Sequence, residues 1–259
     1  MLLRPRLLLT DAQWRRIEPD IRGRRCDAGA TGKNNRRFIE AVFWILRTGA
    51  PWRDLPGYFG LWNTAYQRFR RWCHRGVWRY VLVAMRPRNR DPVALMDSTV
   101  VRAHQHSAGA QNGRAAAIGR SRGGLSTKLH VVVTPQWHVL NYRITAGQAA
   151  DVASAPSLLQ GLGTEIRQVV ADRAYDSNAI LQQIVARRCG PVIPARRNRR
   201  IGRVLSTYYT MRGRVENYFA RLKHFRRIAT RYDKRVDMWD GEFTLANIGM
   251  AAGVRLHTA

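Results

Sequence analysis

The chain has 259 residues, with 45 Lys and Arg against 17 Asp and Glu, a net charge of +28. Hydrophobic residues make up 45% of it and eight are Trp, which excludes a disordered polyelectrolyte and leaves material for one large domain plus a smaller one. Self-repulsion on this scale is tolerable against a polyanion, so nucleic acid is the expected partner. A membrane surface is not, since no detached basic amphipathic anchor accompanies the charge.

Residues 1–90 read as helical. Thr10 and Gln13 form a capping-box pattern opening a helix that runs to about Ile17. A second helix spans Asn35 to Leu46, with Phe38, Val42 and Ile45 on one side, until the prolines at 51 and 56 break it. Trp62 to Trp72 is a third, with Trp62, Tyr66, Phe69 and Cys73 inward and Arg68, Arg70, Arg71 and Arg75 toward solvent. Helix, turn and basic helix fit a helix-turn-helix that reads DNA. The plainer alternative is a helical cap on the main domain. Arg86 to Arg90 is the expected linker.

Beyond it the pattern turns to strands. Val93–Val101 is an apolar β run with Asp97 at its centre. Leu125–Thr134 and Trp137–Thr145 are two strands joined at a Pro135-Gln136 hairpin. A helix over Ala153–Leu162, a strand over Gln168–Ala171, a helix over Ser177–Arg187 and a strand over Pro191–Pro194 follow. A basic loop at 196–203 leads to a helix predicted from Tyr209 to Asp233, then to an apolar helix over Phe243–Leu256. Strands that open with a hairpin and then alternate with helices predict an α/β (α+β) fold with a mixed sheet. Cys26, Cys73 and Cys189 stand far apart and read as reduced cytosolic thiols. The apolar run near residue 1 is too short for a signal peptide or a membrane span.

Most carboxylates sit at helix starts or in loops, Asp11, Glu18, Asp20, Asp91, Asp151, Glu165, Asp240 and Glu242 among them. Asp97 differs, because its neighbours Leu95, Met96, Val100 and Val101 are apolar and a mid-strand acid needs a partner, a raised pKa or a metal. Asp172 ends the Val169-Val170-Ala171 strand, where α/β folds place ligands. Glu216 lies on the long helix, where about 100° per residue puts Tyr209, Arg212, Glu216, Lys223 and Arg227 on one stripe. Two strand aspartates and a helical glutamate make an all-oxygen set suited to Mg²⁺ or Mn²⁺. Two such ions would serve an in-line displacement at phosphorus. A rival zinc site would draw on His104, His106 and an Asp. The bland reading of the stripe is a set of i,i+4 ion pairs such as Arg212 with Glu216.

The pattern Y-x2-R-x3-E-x6-K, met by Tyr209, Arg212, Glu216 and Lys223, resembles the signature around the catalytic glutamate of bacterial insertion-sequence transposases. ALMDSTVVRAHQHSAGA around Asp97, GRSRGGLSTKLH, ADRAYDS around Asp172, FIEAVFWILRTGAPWRDLP and RLKHFRRIATRYDKR are similar to further blocks of the insertion-sequence-five family of DDE transposases. Tyr208-Tyr209 stands where Tyr-Asp is commoner, and the short 196–208 connection leaves little room for an insertion domain.

The resemblance implies an RNase H-like catalytic core over residues 91–259 behind a small all-helical DNA-binding domain over 1–90. It places the catalytic and metal-binding triad on Asp97, Asp172 and Glu216, with two Mg²⁺ ions (Mn²⁺ as a substitute). The implied reaction is cleavage at terminal inverted repeats and strand transfer into target DNA. The implied partner is double-stranded DNA, gripped by a homodimer in the nucleoid-associated bacterial cytoplasm. Tyr209, Arg212, Lys223, Arg227, Lys128, Tyr175, Arg53, Arg68 and Arg71 are the expected DNA contacts, and Trp52 a conceivable wedge between bases. Two competing functions share the charge: a non-catalytic repressor or architectural protein, and an RNase H-like nuclease that cuts without joining.

Overall fold

The computed structural model describes residues 9–21, 34–87, 91–107, 117–197 and 207–254. The chain divides into two compact units, 1–86 with 222–259, and 87–221. These differ from the sequence-based ranges, which assigned everything after 91 to one domain. Cys26, most of the 86–90 linker and most of the 196–203 basic loop lie outside the described residues.

In the first unit, α1 (Asp11–Ile17) begins at the expected capping box, Thr10 and Gln13 each bonding the other's backbone N–H. Helix α2 (Asn35–Thr48) is capped by Asn34, which accepts from the Arg37 N–H. It ends at Gly49, whose φ of 74° suits glycine. Helix α3 (Trp62–His74) is joined through Gly76 to α4 (Val77–Ala84), which the sequence pattern had not resolved. Thirteen residues with two 3-10 turns separate α2 from α3, far more than the tight turn of a helix-turn-helix.

Phe38, Phe69, Trp72 and Trp78 form an aromatic cluster with ring centroids 5.0–6.2 Å apart. Helix α9 (Val236–Ala251), from the far end of the sequence, packs on α2, α3 and α4 and buries Trp239, Phe243 and Leu245 completely. Truncating any one of these aromatics would cost about 3 kcal/mol or more.

The second unit is built on a mixed sheet. Strand β1 (Val93–Ala103) pairs antiparallel with β3 (Gly124–Val133) and parallel with β5 (Gln168–Ala171), which pairs parallel with β6 (Gly190–Val192). Strand β3 also pairs with β4 (Val139–Ala146) and with a three-residue β2 (Gly119–Ser121) that the sequence did not reveal. Helices α5 (Asp151–Gln160) and α6 (Asn178–Ala186) cover one face, sharing a core with Ala94, Met96, Val132 and Val169. Alternation along β1 therefore sends even-numbered side chains toward α5 and odd-numbered ones, Asp97 among them, to the opposite face.

The long helix expected from Tyr209 to Asp233 is interrupted. A 3-10 segment covers Thr207–Arg212, α7 covers Gly213–Leu222, α8 is only Arg226–Ala229, and β7 is Thr230–Arg231. The unwound residues, Lys223 to Phe225, let Phe225 and Ile228 reach full burial in the helical unit.

Candidate active site

The register of β1 against β5 runs through Leu95 opposite Val170 and Met96 opposite Ala171. One step further along this parallel ladder brings Asp97 beside Asp172, the residue at which β5 ends. Both carboxylates are half-buried and act on each other. Burial, with Leu95 before it and Val131 opposite it in β3, is the main reason the Asp97 carboxyl is pushed up to about 6. The Ser98 backbone N–H donates to Asp97 Oδ1 at 2.7 Å and pulls the other way. The charges of Asp172 and Asp151 add to the rise, and that of Arg212 opposes it. Asp172 Oδ1 accepts from the Ala174 N–H at 2.9 Å, so the Asp172 side chain caps the turn it opens.

Glu216 stands apart from this pair. Its carboxylate lies 2.9 Å from the Arg212 guanidinium and is 56% exposed. The Thr207–Arg212 segment packs on β5 and β1, which accounts for Arg212 acting on Asp97 as well. A hairpin contact holds the start of α7: the Trp137 indole N–H donates to the Arg214 carbonyl at 2.9 Å. Arg214 donates back to the Pro135 carbonyl at 3.4 Å, and the Arg221 guanidinium sits 6.0 Å from the Trp137 ring centre. Trp137 adopts a φ of 70°, an uncommon conformation for a bulky residue and one maintained by its surroundings.

Among the described residues, no group of three His, Cys, Asp or Glu side chains closes around a single point in the manner of a metal cage. Asp97 and Asp172 stand on neighbouring strand ends, and the charge of Asp172 raising the Asp97 carboxyl is an electrostatic setting that a hard divalent cation relieves. The donor pair fits such an ion, with Glu216 turned to Arg212. The zinc alternative is corrected: the His104 and His106 rings stack edge-on at 4.4 Å, with no third ligand among the described residues.

Several expected DNA contacts have other roles. Tyr175 is 1% exposed within the core beneath α5 and α6, its phenol pushed upward by burial and then by Asp151, Asp97 and Asp172. Lys128 is 14% exposed and donates to the Ala149 carbonyl at 2.9 Å, with Asp151 at 3.3 Å. Arg227 is 5% exposed, pairing with Asp233 at 3.0 Å and Glu242 at 3.2 Å and donating to the Ala50 carbonyl. Arg68 lies over the Phe38 and Trp72 rings and bonds Asn35, burial lowering its pKa to about 10. Trp52 is buried against Tyr66 and Phe69, which excludes a wedge role. Each of these side chains is buried or engaged inside the protein and has little surface left to offer a phosphate, although Tyr175 Oη, Trp52 Nε1 and Arg227 Nε have no hydrogen-bond partner among the described residues. Arg53 and Arg71 are exposed, Tyr209, Arg212 and Lys223 partly so. Lys223 lies beyond the end of α7, so it does not continue one helical stripe with Glu216.

Sequence reasoning missed Asp151 and Glu242, both set aside as helix-start or loop acids. Glu242 is buried against Arg227. Asp151, at the first turn of α5, receives the Ser98 hydroxyl at 2.5 Å and has Lys128 at 3.3 Å and His130 Nδ1 at 3.4 Å. Burial alone would raise its carboxyl; His130, Ser98 and Lys128 outweigh that and hold it at about 2.

Comparisons with known proteins agree with the fold. Residues 9–82 match the family "Putative transposase of IS4/5 family", and residues 88–239 match "Transposase DDE domain". The chain is 40% identical over 123 residues to the protein y4sN of Sinorhizobium fredii, covering 45% of this chain and 94% of that one. It is 33% identical over 126 residues to the "Putative transposase for insertion sequence element IS6501" of Brucella ovis, covering 47% and 95%. A piggyBac transposase in a synaptic complex with hairpin DNA has a similar fold, with a TM-score of 0.52 at 11% identity over 94% of this chain and 70% of that one. With more than half of its length matched by the transposase DDE domain, the chain belongs to that family: it is a DDE transposase of the insertion-sequence type.

Proposed function

We propose that this transposase cuts DNA at the ends of its element by phosphoryl transfer to water and joins the freed end to target DNA, with Asp97, Asp172 and Glu216 as its acids. In the first step a water oxygen bonds to phosphorus as the P–O3′ bond breaks, and the 3′ oxygen takes up a proton. In the second, that 3′-OH bonds to phosphorus in the target strand while the target's own P–O3′ bond breaks and its 3′ oxygen is protonated. A divalent ion, Mg²⁺ or Mn²⁺, held by these carboxylates supplies charge neutralisation at the phosphate.

The chain's own residues set the conditions. Asp97 and Asp172 repel each other in a half-buried position, so they favour a cation between them over two free charges. Glu216 joins them by leaving its exposed pair with Arg212, a contact worth at most about 1 kcal/mol. Arg212, released, is free to meet the phosphate. Double-stranded DNA, at the terminal repeats and at the target, is the substrate, and Arg53, Arg71, Tyr209 and Lys223 are the side chains with exposed surface to contact it. Two ends must be handled together, which favours a homodimer on DNA.

The proximity of Asp97 and Asp172 at the end of the parallel ladder carries this reading. The test is cleavage of end-bearing duplex in Mg²⁺ by Asp97→Ala, Asp172→Ala and Glu216→Ala variants. Each is expected to lose cleavage and keep DNA binding. Mg²⁺-dependent cleavage retained in any one removes that residue from the triad. Joined products on the same gel separate a transposase from a nuclease that only cuts.

A further inference from the structure

Ser98 lies opposite His130 in the antiparallel β1–β3 pair, and Val100 lies opposite Lys128. The side chains of Ser98, His130 and Lys128 therefore project from the same face of the sheet, the face that α5 covers. Asp151 opens α5 above them, and all three reach its Oδ1: the Ser98 hydroxyl at 2.5 Å, Lys128 Nζ at 3.3 Å and His130 Nδ1 at 3.4 Å. The far nitrogen of His130 is tied at 2.9 Å to Thr145 Oγ1 on β4, which holds the ring, while Nδ1 faces Asp151 without a hydrogen bond. Asp97 points to the other face of β1, yet the Ser98 backbone N–H donates to Asp97 Oδ1 at 2.7 Å. Ser98 thus crosses the sheet, its hydroxyl anchored behind and its amide bonded to the Asp97 carboxylate in front.

We propose that Asp151 is a positioning residue of the active site: by holding the Ser98 hydroxyl from behind the sheet, together with Lys128 and His130, it fixes the amide that orients the Asp97 carboxylate toward Asp172. This rests on the reading of Asp97 as a metal-binding acid. Asp151 acts from behind the sheet, its Oδ1 engaged by a hydroxyl and an ammonium. Its action is that of an outer-shell partner, a class whose loss typically weakens metal affinity or activity by about tenfold to a hundredfold.

The test is a titration of the full-length protein with Mn²⁺ alone, followed by electron paramagnetic resonance and paired with a thermal melt. It compares wild type with Asp97→Ala, Asp151→Asn and Ser98→Ala. Asp151→Asn and Ser98→Ala are each expected to weaken Mn²⁺ binding about tenfold in protein that melts cooperatively. A lowered melting temperature with wild-type Mn²⁺ affinity in both overturns the proposal and leaves Asp151 a stabilising residue only. If Asp151→Asn does not fold, Ser98→Ala decides alone, because it removes the link and leaves Asp151 facing Lys128. Equal Mn²⁺ binding by wild type and Asp97→Ala would instead defeat the underlying assignment of Asp97.

Discussion

The Arg212 guanidinium lies 2.9 Å from the Glu216 carboxylate one helical turn away, and the same cation acts on Asp97. A single positive charge thus serves an exposed acid on α7 and a half-buried acid on β1. Its removal frees Glu216 and also takes away a charge that favours the ionised form of Asp97. Arg212→Ala is expected to cut the rate of strand cleavage at pH 7 by about tenfold or more, with partial recovery at higher pH. Single-turnover cleavage across pH 6 to 9 measures this; a pH-independent defect would assign Arg212 to phosphate binding alone.

The raised Asp97 pKa has its own consequence. With the folded value at about 6 against 3.8 for a free carboxyl, the folded protein holds this proton more tightly than the unfolded chain. Stability from this group is therefore largest below pH 4 and is lost as pH rises through about 6. By pH 7 the cost is on the order of 3 kcal/mol in protein free of metal. Asp97→Asn removes the charge and keeps an oxygen for the Ser98 amide. It is expected to raise the melting temperature at pH 7 by a few degrees while abolishing cleavage. The gain should fade at pH 4. Calorimetry at the two pH values is the measurement, and an equal shift at both would contradict it.

The Trp137 clamp gives a test at a distance from the acids. Trp137→Phe keeps a ring beneath Arg221 and loses the N–H that binds the Arg214 carbonyl. One neutral hydrogen bond is worth about 1 kcal/mol, so stability should change little. Placement of Glu216, two residues beyond Arg214, should suffer more, because misplacement by an ångström is costly to catalysis. A fall of about tenfold in cleavage with unchanged DNA affinity is expected, read by single-turnover assay beside a gel-shift titration.

Arg227 provides the contrasting case. Arg227→Met leaves Glu242 and Asp233 without their buried cation and is expected to destabilise the helical unit by about 3 kcal/mol or more. Addition of Glu242→Gln should recover part of the loss, because it removes a buried acid that has lost its cation. Urea denaturation of the two variants checks both statements. A variant as stable as wild type but poor at binding DNA would restore Arg227 to the nucleic-acid surface.

The elements with a strong period were legible in the sequence, and so were the two aspartates at strand positions. The apolar steps Val215, Phe219, Leu222 and Phe225 keep a helical rhythm straight through the point where the helix stops. Nothing in the one-dimensional pattern distinguishes a helix that ends at Leu222 from one that continues. Lys128, Tyr175 and Arg227 looked like surface donors because residue type alone does not show which cations and phenols have a partner waiting inside. Asp151 was hidden for a related reason. A first-turn acid is common and usually solvated, and only the pairing of Ser98 with His130 across two strands reveals what this one holds.

Helix α9 belongs to a unit whose other helices were made at the opposite end of the polypeptide. During synthesis the apolar faces of α2, α3 and α4 must wait, uncovered, while the whole sheet-bearing unit emerges from the ribosome. That unit, encoded between them, has all its strands available first and is free to fold in the interval. Order of folding thus departs from order of synthesis, for the central unit is complete before α9 exists to cover α2, α3 and α4.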